Sequence, residues 1–189
     1  MNQDEMDSLS GKLLLAIPTM SDPYFSQTAT LLCQHRIEGA MGLVVNQPTR
    51  LEMREVFDSL SLQAIEPVAR RAAHYGGPVQ PETGFLLHDK PLGGLQPEYE
   101  IQPGLFLSTS LDSMQCLSQL DDDTRWIFCL GYAGWNEGQL EQELAGDSWI
   151  VADTDAEGLF GVAPANILKQ AAARSGINLD RLGAASGHA

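Results

Sequence analysis

An unconventional catalytic set in this chain would be drawn from His35, Asn46, His88 and Cys129. An imidazole titrates near neutral pH and can pass a proton. A thiol becomes a nucleophile when a histidine lowers its pKa. His35 ends the segment TATLLCQH and His88 ends FLLH. Both are therefore expected at strand ends, where they either converge or cap separate strands. Cys129 lies inside WIFCL, a setting that favours an inert core thiol. If at least two of the four meet in one pocket, the chain reads as a hydrolase-like enzyme with an unconventional site. The strong catalytic signatures are absent: there is no GxxxxGK(S/T) loop, GxGxxG, HExxH or GxSxG. His35, His74, His88 and His188 show no i, i+3 or i, i+4 pair. Asp121-Asp122-Asp123 lacks the spaced ligands and glycine of a calcium loop and reads as a solvated turn. No metal and no cofactor is expected.

Two glycine-rich stretches are the other candidates. In RWIFCLGYAGWNEGQLEQEL (125–144), the apolar run reads as a strand buried on both faces. Gly131 and Gly134 then frame a turn carrying Tyr132 and Trp135. Asn136 is the expected N-cap of an acidic helix, with Gln139 reaching back as in a capping box. Backbone N–H groups there could cradle an anion between the two rings. Glu137, Glu141 and Glu143 would repel that anion and favour a structural turn with both rings in the core. Gly76-Gly77-Pro78 follows a strand and either admits a ligand close to the backbone or simply bends the chain.

The elements that must position these residues can be read in order. Strands are expected over 12–17, 28–35, 40–46, 72–75, 85–88, 105–108, 126–130 and 148–152, with a short one near 99–101. Thr49 and Glu52 suggest a capping box for a helix in which Met53, Val56, Phe57 and Leu60 share one face. Further helices are expected over 111–120, from Asn136 through Leu144, and from Pro164 to Ser175 with Gly176 just beyond. Residues 61–70 read as linker, 89–104 as a surface excursion and 153–157 as a turn. These short strands and about four helices, irregularly mixed, indicate an α+β fold with a mostly antiparallel sheet. A flexible N-terminus (1–10), one globular unit (11–182) and a flexible tail (183–189) are the expected organisation.

At 189 residues, with 43% hydrophobic and 19% charged content, the chain can bury a core without staples. A net charge of −14 repels phosphate backbones, so direct nucleic-acid binding is disfavoured. Cys33, Cys116 and Cys129 form an odd set without a CxxC, as expected of reduced thiols in the cytoplasm. No apolar run is long enough to span a membrane.

The segments AIPTMSDPYFSQTATLLCQH (16–35), EGAMGLVVNQP (38–48), YGGPVQPETGFLLH (75–88) and GYAGWNEGQLEQEL (131–144) occur in this order over nearly the whole chain. On them the sequence resembles the AlgH/YqgE family of small bacterial proteins. The resemblance implies a bent sheet curled toward a pseudo-barrel and a cytosolic bacterial protein. It implies no catalytic residue. The leading expectation is a regulatory or interaction protein acting through a partner protein or a small ligand. Its expected site is formed by Asn46, Gly76, Gly77, Pro78, Gly131, Tyr132, Gly134, Trp135 and Gln139, with His35 and His88 as polar candidates. The alternative is the hydrolase-like enzyme. The third reading, a transcriptional regulator contacting DNA, requires a basic face.

Overall fold

The computed structural model describes residues 8–92, 98–120, 123–179 and 182. Residues 1–7, the 183–189 tail with His188, Asp121 and Asp122 of the acidic turn, and residues 93–97 of the 89–104 excursion lie outside the described residues. The strands are β1 (Leu13–Ala16), β2 (Ala29–Arg36), β3 (Gly39–Val44), β4 (Pro48–Glu52), β5 (Ala72–Tyr75), β6 (Val79–His88), β7 (Tyr99–Gln102), β8 (Leu105–Ser108), β9 (Trp126–Asn136) and β10 (Trp149–Ala152). The complete helices among the described residues are α1 (Met53–Ser59), α2 (Glu66–Ala69), α3 (Leu111–Ser118), α4 (Gln139–Ala145), α5 (Ala156–Phe160) and α6 (Pro164–Arg174).

The strands join in one sheet of order β10-β1-β2-β3-β9-β6-β8-β7, with β4 and β5 attached to the side of β9. Every pairing is antiparallel except β5 with β9, in the register His74 to Cys129. The sheet curls but is not closed by a ladder. Its two ends are linked by a side-chain bond, Gln102 Nε2 donating to the Thr154 carbonyl at 3.1 Å.

Alternation along each strand divides the core. In β1, Leu13 and Leu15 face an inner cluster while Leu14 and Ala16 face an outer one. Both faces are covered, which is why LLLA reads as a continuous apolar run rather than an alternating one. The inner cluster is filled by Leu159 of α5 and by Ile167, Ala171 and Ala172 of α6. One outer face, around Leu86, Trp126 and Phe128, is covered by α1, α2 and α3 through Met53, Phe57, Val68, Met114 and Leu117. The other, around Leu32, Trp135 and Trp149, is covered by Leu140 of α4.

Several local expectations change. The Gly131–Trp135 stretch is not a strand-ending turn: β9 runs through it to Asn136. Gly131 has φ +72°, and the facing pattern flips there. Ile127 and Cys129 face the inner core, and after the kink Tyr132 does so while Ala133 and Trp135 face out. This is the behaviour of a bulge. The helix accordingly starts later, at Gln139 behind Gly138, although Gln139 Oε1 still accepts from the Asn136 N–H at 3.1 Å. Thr49 does not cap α1. Pro48–Glu52 pairs with β5, the Thr49 hydroxyl donates to the Ala73 carbonyl, and Glu55 is the residue that reaches back to the Glu52 N–H. Short helices α2 and α5 form where a linker and a turn were expected. Ser8 and Ser10, within the expected N-terminal arm, hydrogen-bond to the backbone of His35.

Candidate functional site

The two glycine stretches are brought together, but against each other. A Cβ on Gly76 would lie 2.2 Å from the Gly131 oxygen, and one on Gly77 (φ +155°) 2.1 Å from the Tyr132 carbonyl carbon. The close approach expected of a ligand is made by backbone instead. Pro78 follows as an exposed residue before β6. Tyr132 stacks edge-on to Phe85 at 5.7 Å, and Gly134 packs beside the Tyr132 ring. Trp135 points to the other core, with Phe25 and Trp149 as ring neighbours. One carboxylate oxygen of Glu143 accepts from both indoles, Trp135 at 2.9 Å and Trp149 at 2.8 Å. The other accepts from Gln139 at 2.9 Å.

The polar candidates do not converge. His35 Nδ1 accepts from the Leu9 N–H at 3.1 Å, which leaves Nε2 to donate to Glu141 at 2.8 Å. That bond holds the Glu141 carboxyl below its ordinary range. Asn46 accepts from the Ala29 N–H at 2.8 Å and donates to the Gln27 carbonyl at 2.9 Å, so it extends the sheet ladder. Cys129 is fully buried, donates to the Val44 carbonyl, and has its pKa pushed up by burial. Cys33 is shifted the same way, chiefly by burial, with Cys129 nearby adding to it. Neither thiol is poised as a nucleophile.

His88 differs. Its ring is fully buried, and Nδ1 lies 2.8 Å from the Lys90 carbonyl. A carbonyl only accepts, so Nδ1 carries the proton. Nε2 is then an acceptor and takes the Ser108 hydroxyl at 2.9 Å. Burial lowers the His88 pKa, which keeps the ring neutral. Leu86 pairs with Ser108 and His88 with Phe106, so the two polar groups lie diagonally on one face of the β6–β8 pair.

That face forms one wall of a cleft of about 500 Å³. Leu86, Phe128 and Leu130 form its floor, and Gly84 lacks the Cβ that would strike the Phe128 ring at 2.6 Å. Val56 of α1 and Leu60 just past its end line the cleft together with Leu111 and Met114 of α3. Glu55 and Glu82 stand at the rim, and Ser108, Thr109 and Ser110 supply hydroxyl-bearing residues at one end. Among the described residues, no group of three or more His, Cys, Asp or Glu could hold a metal ion.

Sequence reasoning named His88 but not Ser108 or this cleft. The signal was present: LFLS alternates, with Leu105 buried in the inner core and Ser108 two steps beyond Phe106 on the outer face. Only the strand register shows that the polar ends of FLLH and LFLS meet.

The curled, mostly antiparallel sheet with helices packed on it defines an α+β protein, with an apolar cleft where α1 and α3 meet the sheet. The chain belongs to the AlgH-like family, whose model matches residues 13–180. It is 39% identical over 183 residues to a UPF0301 protein of Cupriavidus metallidurans, covering 96% of each chain. It is 38% identical over 187 residues to one from Ralstonia pickettii, covering 98% of each. The solution structure of the AlgH protein from Pseudomonas aeruginosa superimposes with a TM-score of 0.76 at 38% identity, covering 100% of both chains. A crystal structure of a Corynebacterium diphtheriae protein matches with a TM-score of 0.72 at 18% identity, covering 97% of this chain and 99% of the other, and shows the fold alone. No helix among the described residues is long and apolar enough to cross a membrane.

Proposed function

We propose that this chain is a regulatory binding protein of the cytosol, whose ligand is a small apolar molecule held in the cleft between α1, α3 and the β6–β8–β9 face. The observation that carries the reading is the cleft itself. A volume of about 500 Å³ lies within the range of small-molecule sites, and its lining is largely apolar. Leu60 and Leu111 stay exposed at its edges, where an apolar ligand would cover them. Glu55 and Glu82 at the rim select a neutral or cationic ligand over an anionic one. The three free cysteines suit a reducing compartment. Contact with DNA is opposed by the net charge of −14.

The test is a titration with Nile red, a neutral dye that fluoresces in apolar surroundings. Saturable enhancement that is lost in Leu111→Glu, with the melting temperature unchanged, supports the reading. Leu111 is half-exposed, so the substitution should leave the fold intact. Enhancement that is absent, or equal in Leu111→Glu, overturns it.

A further inference from the structure

The geometry points to a second property of the same cleft: Ser108 and His88 form a serine–histidine pair that cleaves esters with a short apolar acyl group. This rests on the cleft reading for where the acyl group sits.

Three features of the pair go beyond a satisfied core histidine. The tautomer is fixed by a group that cannot donate: the Lys90 carbonyl takes the Nδ1 proton at 2.8 Å, so Nε2 presents a lone pair. That lone pair lies 2.9 Å from the Ser108 oxygen, the reach at which a base removes a nucleophile's proton. The Lys90 carbonyl thus occupies the orienting place that a carboxylate fills in serine–histidine–aspartate sites. Finally, Ser108 borders an apolar cavity wide enough for an acyl chain, with the buried imidazole directly behind it. Glu98 Oε1 stands 4.0 Å from Nε2, close enough to favour an imidazolium formed during the reaction. Ser110 and Leu111, at the start of α3, line the same cleft. The first amides of a helix have no intrahelical acceptor, and such donors hold developing oxyanions.

The steps balance with water as the only co-reactant. Ser108 Oγ bonds to the ester carbonyl carbon as its proton passes to His88 Nε2. The bond from that carbon to the alkoxy oxygen breaks, and His88 returns the proton to the leaving alcohol. Water then attacks the acyl-serine, giving a proton to Nε2. The carbon–Oγ bond breaks, the acid leaves, and Ser108 recovers its proton from His88.

The experiment treats the full chain with a fluorophosphonate probe and maps the adduct by peptide mass spectrometry. In parallel it follows p-nitrophenyl butyrate hydrolysis in the unsubstituted protein, Ser108→Ala and His88→Gln, with Nile red binding as a control. We expect an adduct on Ser108 and a hydrolysis rate at least about 100-fold lower in both variants. The adduct is read on the unsubstituted protein, so it decides even if a variant fails to fold. Nile red binding without an adduct on Ser108 overturns the catalytic pair and leaves the cleft reading standing. An adduct on Ser108 without Nile red binding supports the pair and overturns the cleft reading. Labelling confined to other residues overturns the pair, as does hydrolysis undiminished in a folded Ser108→Ala.

Discussion

Glu143 shows how a single residue can matter more than its type suggests. In sequence it is one of several acidic residues near a helix start. In the fold its carboxylate ties two indoles and Gln139 together. Glu143→Ala should destabilise the protein by about 1–3 kcal/mol, the scale for donors left without an acceptor. Urea unfolding measures this, and native tryptophan fluorescence should shift with it. An unchanged midpoint would mean that the indoles find water equally well. The glycines make a sharper contrast. Gly77→Ala places a methyl inside the β9 backbone and should destabilise by about 3 kcal/mol or more. Gly104, at φ +75° with nothing within 4 Å of a Cβ, should lose only about 1–2 kcal/mol on substitution by Ala. Melting temperatures of the two variants decide. If they match, close approach is not the reason for Gly77. At Gly76-Gly77 the sequence left open a ligand held close to the backbone or a simple bend. It could not show that the approaching group is the chain's own Tyr132.

At the scale of elements, periodicity located what was local. Met53, Val56 and Phe57 lie on α1, and Pro164 opens α6, beyond whose C-cap Ser175 Gly176 sits in the left-handed region. It failed where a segment's state is set by a distant partner. Pro48–Glu52 becomes a strand because β5 lies beside it. β9 continues past Gly131 because β3 is there to pair with Ala133–Asn136. The start of α3 is a local device: Ser110 accepts from the Ser113 N–H at 3.1 Å. Ser110→Ala should lower stability by about 1 kcal/mol, read from denaturant midpoints. Because α3 forms one wall of the cleft, the same variant should also weaken Nile red binding. Unchanged stability and unchanged binding together would show that the cap is dispensable.

Across the whole molecule, two buried imidazoles set a direction with pH. His74 donates to the Val45 carbonyl at 2.9 Å, and burial lowers its pKa, as it does for His88. Below the ordinary value of 6.5 the unfolded chain takes up protons that the folded chain refuses. Stability is therefore complete above that value and falls as pH drops toward the depressed folded values. Urea midpoints should decline from about pH 7 to about pH 5, ahead of any carboxylate titration. A flat profile over that interval would show that both rings reach water when charged. The overall class was legible because composition and short, turn-bounded strands already exclude other architectures. The cleft was not, since it is made by α1, α3 and β6, β8 and β9, whose mutual placement no local pattern encodes.

β9 is the strand on which both halves of the sheet depend: β3 pairs with its far end, and β5 and β6 with its near end. It is also among the last strands to be synthesised. On the ribosome, β2 and β3 can zip together as a hairpin, but β3 offers an unpaired edge until residues 126–136 emerge. Nascent chains halted before that point should be cut readily by protease and prone to pair with one another. Chains halted once β9 is out should resist. The order of synthesis thus makes one strand the gate through which the two halves of the sheet are joined.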